Sequence, residues 1–171
     1  MAQTRSNLIL IGMPGAGKST VGVILAKLTS RDFVDTDVLI QSSQGRALQD
    51  IVDTDGYEVL RDSEEEVLLG LSVRNCVIAT GGSAVYSDSA MTHLRSSGLV
   101  IFLDVDMPTL ESRIHDYRTR GLAKRTDQNF SDMFHERLTL YTQYADITIT
   151  CAGLSHEEVC ARIMDITKEE N

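Results

Sequence analysis

Hydrophobic residues fall into short runs separated by longer amphipathic stretches. The apolar runs at 8–11, 33–34, 76–79, 99–103 and 147–149 are rich in Val and Ile, as are strands buried on both faces of a parallel sheet. The intervening segments carry helical spacing. Val21, Leu25 and Leu28 fall on one helix face. Leu60, Val67 and Leu71 recur with a looser helical period, and Phe130, Phe134, Leu138 and Tyr141 form the clearest stripe. Ser155 followed by Glu158 has the form of a capping box for a last helix. Asp106 is a candidate N-cap for another, with Pro108 in its first turn. Strands alternating with helices predict an α/β fold, a parallel sheet with right-handed crossovers and helices on both faces.

Composition narrows the function. A chain of 171 residues is expected to form one domain, 1–171, with a sizeable core. Its 42% hydrophobic and 24% charged content is ordinary for a globular protein. A net charge of −9 argues against nucleic acid or a membrane surface as partner, since such binders are basic. Cys76, Cys151 and Cys160 are an odd number without metal-ligand spacing, which argues against a disulfide framework. The N-terminal apolar run is too short for a signal-peptide core and is interrupted by Gly12, and no stretch reaches the ~18 apolar residues of a membrane span. The chain therefore reads as cytoplasmic, and a monomer is expected. One stretch departs from the acidic background: "RTRGLAKR", 118–125, has four basic residues and no acid. It lacks periodicity and is expected to be a mobile loop or a short broken helix.

The chemistry begins at "GMPGAGKS", residues 12–19, which fits G-x-x-x-x-G-K-[ST]. Gly12, Gly15, Ala16 and Gly17 let backbone N–H groups turn inward at a helix N-terminus and cradle phosphates. Lys18 can reach the terminal phosphates, and Ser19, followed by Thr20, can ligate a bridging Mg²⁺. The expected ligand is a nucleoside triphosphate. The next strand ends in "FVDTD", so in extended chain Asp35 and Asp37 point the same way at the strand's C-terminal end, where open parallel sheets bind ligands. One carboxylate could hold a Mg²⁺-bound water and the other accept a proton from an attacking hydroxyl; equally, one Asp could simply cap the following helix. Arg61 and Glu64, at i and i+3, read by spacing as a surface pair. Gly81 and Gly82 directly after the strand at 76–79 fit either a close backbone approach to a ligand or a plain tight turn.

In order along nearly the whole chain, these pieces resemble the shikimate kinase family of P-loop kinases. "GMPGAGKST" is similar to its phosphate loop, "DTD" to its acidic strand end, "LRDSE" to its F-R-x-x-E helix and "ATGGS" to its glycine triplet. "RGLA" stands where its lid reads R-P-L-L, and "ERLTLY" where the next helix carries R-x-x-x-Y. The resemblance implies a three-layer P-loop kinase fold with a five-stranded parallel sheet and a mobile lid at about 115–128. It implies ATP and Mg²⁺ as cofactors and a small hydroxy-acid substrate, shikimate. By the same resemblance Asp37 is the base and holds substrate hydroxyls, and Asp35 lies near Mg²⁺ with Ser19. Arg61 and Arg137 clamp the substrate carboxylate, Gly81, Gly82 and Ser83 supply backbone contacts, Arg113 lies against adenine, and Arg120 reaches the transferring phosphoryl group. Glu64 would orient Arg61, while Glu65 and Glu66 stay solvated. Departures lie on the acceptor side or in the lid, none on the nucleotide side: Ser83 for the third glycine, Leu60 for the phenylalanine, Tyr57 for an acid, and a lid without proline that ends in Ala123. They leave another small hydroxy acid or polyol as the alternative acceptor, and a nucleotide-binding regulator as a reading from another class. His93, His115, His135 and His156 have no metal spacing and read as solvated or structural.

Overall fold

The first apolar run forms β1 (Asn7–Ile11), buried along its whole length. In the computed structural model, which describes residues 5–114 and 121–169, it lies at the centre of a five-stranded parallel sheet. The other strands are β2 (Asp32–Asp35), β3 (Cys76–Ala79), β4 (Gly98–Asp104) and β5 (Ile147–Thr150). Their order is β2-β3-β1-β4-β5. Leu8 pairs with Val77 on one side and Leu99 on the other, so three apolar runs lie side by side in one plane. Cys76 is fully buried within this layer.

The helices are α1 (Lys18–Thr29), α2 (Thr36–Gln44), α3 (Leu48–Asp55), α4 (Tyr57–Leu69), α5 (Asp88–Ser97), α6 (Met107–Arg113), α7 (Phe130–Tyr144) and α8 (His156–Glu169). Right-handed crossovers assign them to layers. The step from β1 to β2 runs one way across the sheet and places α1 on one face, where α8 packs against it. The steps from β2 to β3, β3 to β4 and β4 to β5 run the other way and place α4, α5 and α7 on the opposite face. Strands β1 and β3 are neighbours whose outgoing loops turn to opposite faces. That is the switch point where a crevice opens beyond the strand ends.

Both expected caps form. The Ser155 Oγ accepts from the Glu158 N–H while Glu158 accepts from the Ser155 N–H at 2.7 Å, and Asp106 accepts from the Thr109 N–H. Three helix faces differ from the expectation. Val21 and Leu25 are buried, but Leu28 is 53% exposed and belongs to the outer surface of α1. Leu71 lies beyond the end of α4, whose buried line is Leu60, Glu64 and Leu68. On α7 the buried line is Met133, Arg137, Tyr141 and Tyr144, one position round from the predicted stripe; Phe130, Phe134 and Leu138 flank it. In both helices a charged residue occupies a position that burial reserves for apolar ones. A small second apolar cluster of Ile40, Ile51, Leu60 and Ala123 forms between α2, α3 and α4, and it borders the crevice.

Candidate active site

The crevice is a cavity of about 560 Å³ with the phosphate loop at one end and α4, α7 and the β3 loop at the other. At the loop end, Gly15 and Gly17 have φ of 83° and 92°, a region costly for any residue with a Cβ. Gly17 is the N-cap of α1 and no side chain caps this helix start, so first-turn N–H groups remain as donors for an anion. Lys18 lies against its own loop, with Nζ donating to the carbonyls of Gly12 and Met13 at 2.7 and 2.8 Å. Burial lowers its pKa to about 8, against the opposing pull of Asp37. A terminal phosphate would exchange these two carbonyl bonds for charge-assisted ones. Arg113 donates to the Gly15 carbonyl at 3.2 Å and lines the same mouth.

Asp35 and Asp37 do not share one extended segment. β2 ends at Asp35, whose Oδ1 caps α2 by accepting from the N–H groups of Asp37 and Val38. Its Oδ2 accepts from the Ser19 hydroxyl at 2.5 Å. Asp37 is thus a first-turn helix residue, and it lines the cavity while Asp35 stands behind Ser19. Capping and a role beside Ser19, which spacing presents as alternatives, are carried by the two oxygens of one carboxylate. The Ser19 and Asp35 pair offers hard oxygen donors beside the phosphate loop, which fits Mg²⁺ carried in with a nucleotide. Among the described residues no cluster of three or more His, Cys, Asp or Glu could hold a metal unaided, so such an ion would depend on phosphate and water for its other ligands. Burial and the nearby Asp35 raise the pKa of Asp37, while Lys18 opposes them. A raised pKa makes its carboxylate a better proton acceptor.

At the acceptor end Gly81 and Gly82 have a definite use. A Cβ on Gly81 would collide with Glu64 Oε1 and lie 2.9 Å from Asp37 Oδ1, and one on Gly82 would lie 2.7 Å from Arg137 Nη1. The backbone therefore passes between two carboxylates and a guanidinium so closely that a Cβ at either position would force one of these side chains to shift. Tyr141 holds the turn from below, its hydroxyl donating to the Gly82 carbonyl at 2.6 Å. Arg137 is 1% exposed, and its Nη2 donates to the Ala123 carbonyl at 3.1 Å.

Glu64 is no solvated residue and no partner of Arg61. It is buried, and its Oε2 accepts a short hydrogen bond from the Ser83 hydroxyl. Its Oε1 has no hydrogen-bond partner among the described residues. Burial raises its pKa to about 7, helped by Asp37 and opposed by Ser83, Arg137 and Lys18. Arg61 stands behind the cavity wall, its guanidinium stacked on Tyr86 and its Nη2 donating to the Ala123 carbonyl at 3.3 Å. The expected surface pair is absent because Ser83 supplies Glu64 with a donor from the opposite side.

Of the residues singled out in the sequence, Gly15, Gly17, Lys18, Ser19, Thr20, Asp37, Gly81, Gly82, Ser83, Arg113 and Arg137 line this one cavity. Gly12 and Ala16 are buried beneath the loop. Arg120, His115 and residues 115–120 of the expected lid lie outside the described residues. Residues 121–125 are irregular, and Gly121, Leu122 and Ala123 contribute wall. Ile40, Leu48 and Leu60 add an apolar side. His156 is a residue that sequence reading set aside: it lines the cavity, and its Nε2 is placed 2.9 Å from where a Gly17 Cβ would stand. Only its position at the start of α8, after the last strand, hinted at this.

Known proteins resemble this chain in sequence and in fold. Residues 14–168 match the family model described as shikimate kinase. The chain is 36% identical over 170 residues to the shikimate kinase of Pasteurella multocida, covering 97% of each chain. It is 39% identical over 152 residues to that of Gloeobacter violaceus, covering 86% of this chain and 85% of the other. The shikimate kinase from Acinetobacter baumannii, solved in complex with shikimate, superposes with a TM-score of 0.90 at 29% identity, over 99% of this chain and 96% of that one. A family model, a sequence similarity and a fold that agree over almost the full length place this chain in the shikimate kinase family.

Proposed function

We propose that this protein transfers the γ-phosphoryl group of ATP to a hydroxyl of shikimate, giving ADP and the 3-phosphate. The observation that carries the reading is the convergence of Lys18, Asp37 and Arg137 on one cavity, donor machinery at one end and a buried cation at the other. Shikimate has a carboxylate to meet that cation and hydroxyls to meet Asp37. The altered Ser83 fits this reading, because its hydroxyl is spent on Glu64 and adds no free polar group. Leu60 contributes an apolar wall.

In the reaction Asp37 takes the proton of the attacking hydroxyl as the new O–P bond forms and the bond from the γ-phosphorus to the bridging oxygen breaks. Lys18 moves from the loop carbonyls to the terminal phosphate and follows the charge as it shifts onto ADP. A Mg²⁺ ion held by Ser19, with Asp35 behind it, would neutralise phosphate charge and orient the chain of oxygens. The family resemblance gives Arg120 a place on the transferring group and Arg113 a place on adenine, with 115–128 closing over both. We place the reaction in the cytoplasm of a monomer. Among the described residues no helix is long and apolar enough to cross a membrane, and the charge of −9 disfavours anionic surfaces and nucleic acid.

The test is ADP release measured over a panel of hydroxy acids and polyols, with shikimate included. Shikimate should give the highest kcat/KM, and Arg61→Ala should raise the KM for shikimate while leaving that for ATP nearly unchanged. A best acceptor without a carboxylate would overturn the reading.

A further inference from the structure

The two acceptor-side arginines pose an electrostatic problem. Arg61 and Arg137 come from different helices yet both donate to one carbonyl, that of Ala123. Like charges this close repel, and burial strengthens the repulsion. Chains commonly solve this with a carboxylate between the cations. Among the described residues neither arginine has one: Glu64 is engaged by Ser83, and Glu136 is turned to Tyr86, Gln128 and Arg125. The Nε of each arginine is buried and has no hydrogen-bond partner among the described residues.

A tyrosine ring lies beside both cations instead. Tyr86 ends the 3₁₀ turn Ala84–Tyr86 that follows the glycine pair. The guanidinium carbon of Arg61 is 3.8 Å from its ring centroid and that of Arg137 is 5.4 Å away. Tyr57 adds a second ring at 5.1 Å from Arg61. The Tyr86 hydroxyl donates to Glu136 Oε1 at 2.6 Å, which fixes the ring against α7. A π face attracts a guanidinium without neutralising it. A carboxylate in the same place would hold the cations but compete with any anionic ligand.

We propose that Tyr86 is a positioning residue of the acceptor site, a π shelf that orders Arg137 on the cavity and Arg61 behind its wall, leaving their charge unspent for the field that a ligand carboxylate meets. It acts through the two arginines and does not itself touch the ligand. This rests on the acceptor assignment above and names a residue that the family motifs quoted from the sequence do not contain. The alternative is that Tyr86 only packs.

The test replaces Tyr86 in the full chain with Phe, 4-fluorophenylalanine, 3,4,5-trifluorophenylalanine and Leu, and measures kcat and both KM values with ATP and shikimate. Fluorination drains the π face at nearly constant shape, so a packing role would not respond to it. The KM for shikimate should rise stepwise along the series, reaching about 3- to 10-fold for the trifluoro ring. The KM for ATP and kcat should stay within about twofold over the same steps. Phe keeps the ring and loses the hydroxyl's bond to Glu136 and its polar contact with Arg137; it should retain most of the acceptor affinity. A flat fluorinated series, an equal rise in the KM for ATP, or a Phe variant as impaired as Leu would overturn the shelf. Should the Leu variant not fold, the isosteric rings decide alone. If the unaltered protein releases no ADP with shikimate, the function reading fails by itself; the ring series is then measured on the acceptor that the panel selects, and an acceptor without a carboxylate overturns the shelf too.

Discussion

At the scale of single residues, the site is governed by carboxylates held where water is scarce. Asp37→Asn keeps the shape of the side chain and removes its ability to take a proton. Its kcat should fall by ~10²–10⁴, the usual worth of a general base, with little change in the KM for ATP. A variant near the unaltered rate in a steady-state assay would remove Asp37 from that role. Glu64 makes a prediction about stability. Its pKa is raised from the ordinary carboxyl value of 4.5 to about 7, so between those values the folded state binds a proton that the unfolded state has lost. Stability must therefore fall as pH rises through this window, by ~3 kcal/mol if the whole shift is expressed. Glu64→Gln still accepts from Ser83 and carries no charge. It should be more stable than the unaltered protein at pH 8 and equal to it near pH 4.5, measured by denaturant melts. A difference independent of pH would mean that the carboxylate is not the source.

At the scale of elements, α2 and the phosphate loop are tied together by one side chain. Asp35 caps α2 with one oxygen and holds Ser19 with the other. The two jobs can be separated. Asp35→Ala loses both and should cost about 1 kcal/mol of cap stability, some 2–4 °C in Tm. Asp35→Asn keeps a good cap and gives up the charge. It should melt near the unaltered protein yet require more Mg²⁺ for half-maximal ADP release. Equal melting temperatures for Ala and Asn would show that the cap contributes nothing. Helices α4 and α7 repeat another theme. Each carries its charged residue in register with the buried positions, Leu60-Glu64-Leu68 and Met133-Arg137-Tyr141. A charge in step with an apolar stripe weakens the amphipathic pattern, and it is also a signature of a buried functional group. Read that way, both residues were legible before the structure.

At the scale of the whole molecule, the two ends of the site come from distant parts of the chain. The loop after β1, the start of α2, the turn after β3 and the middle of α7 meet over the β1–β3 switch point. Ligands that bridge these parts bind the folded state and not the unfolded one. A non-hydrolysable ATP analogue at about 100 times its Kd should add ~2.7 kcal/mol and raise Tm by roughly 5–10 °C. Shikimate should add a further increment. Calorimetric scans with each ligand alone and with both would check this, and no shift with the analogue would contradict a nucleotide site.

What the amino-acid order determined by itself is whatever local physics governs. Apolar runs became strands because an extended chain buries every residue of a short run, and β1, β3 and β4 follow their runs to within one residue at each end. The glycine spacing made the phosphate loop because φ is a property of single residues, and Asp106 and Ser155 capped their helices because the donors lie within three residues. Tertiary structure decided which side chains meet. Spacing paired Arg61 with Glu64, but Ser83 claims the glutamate from a different element, and Tyr86 takes the arginine. Asp37 left the extended segment because Asp35 found two N–H groups to cap. His156 reached the phosphate loop because α8 packs against α1. Periodicity describes one element's own face; it carries no information on the partner opposite, and the chemistry of this site lies in those partners.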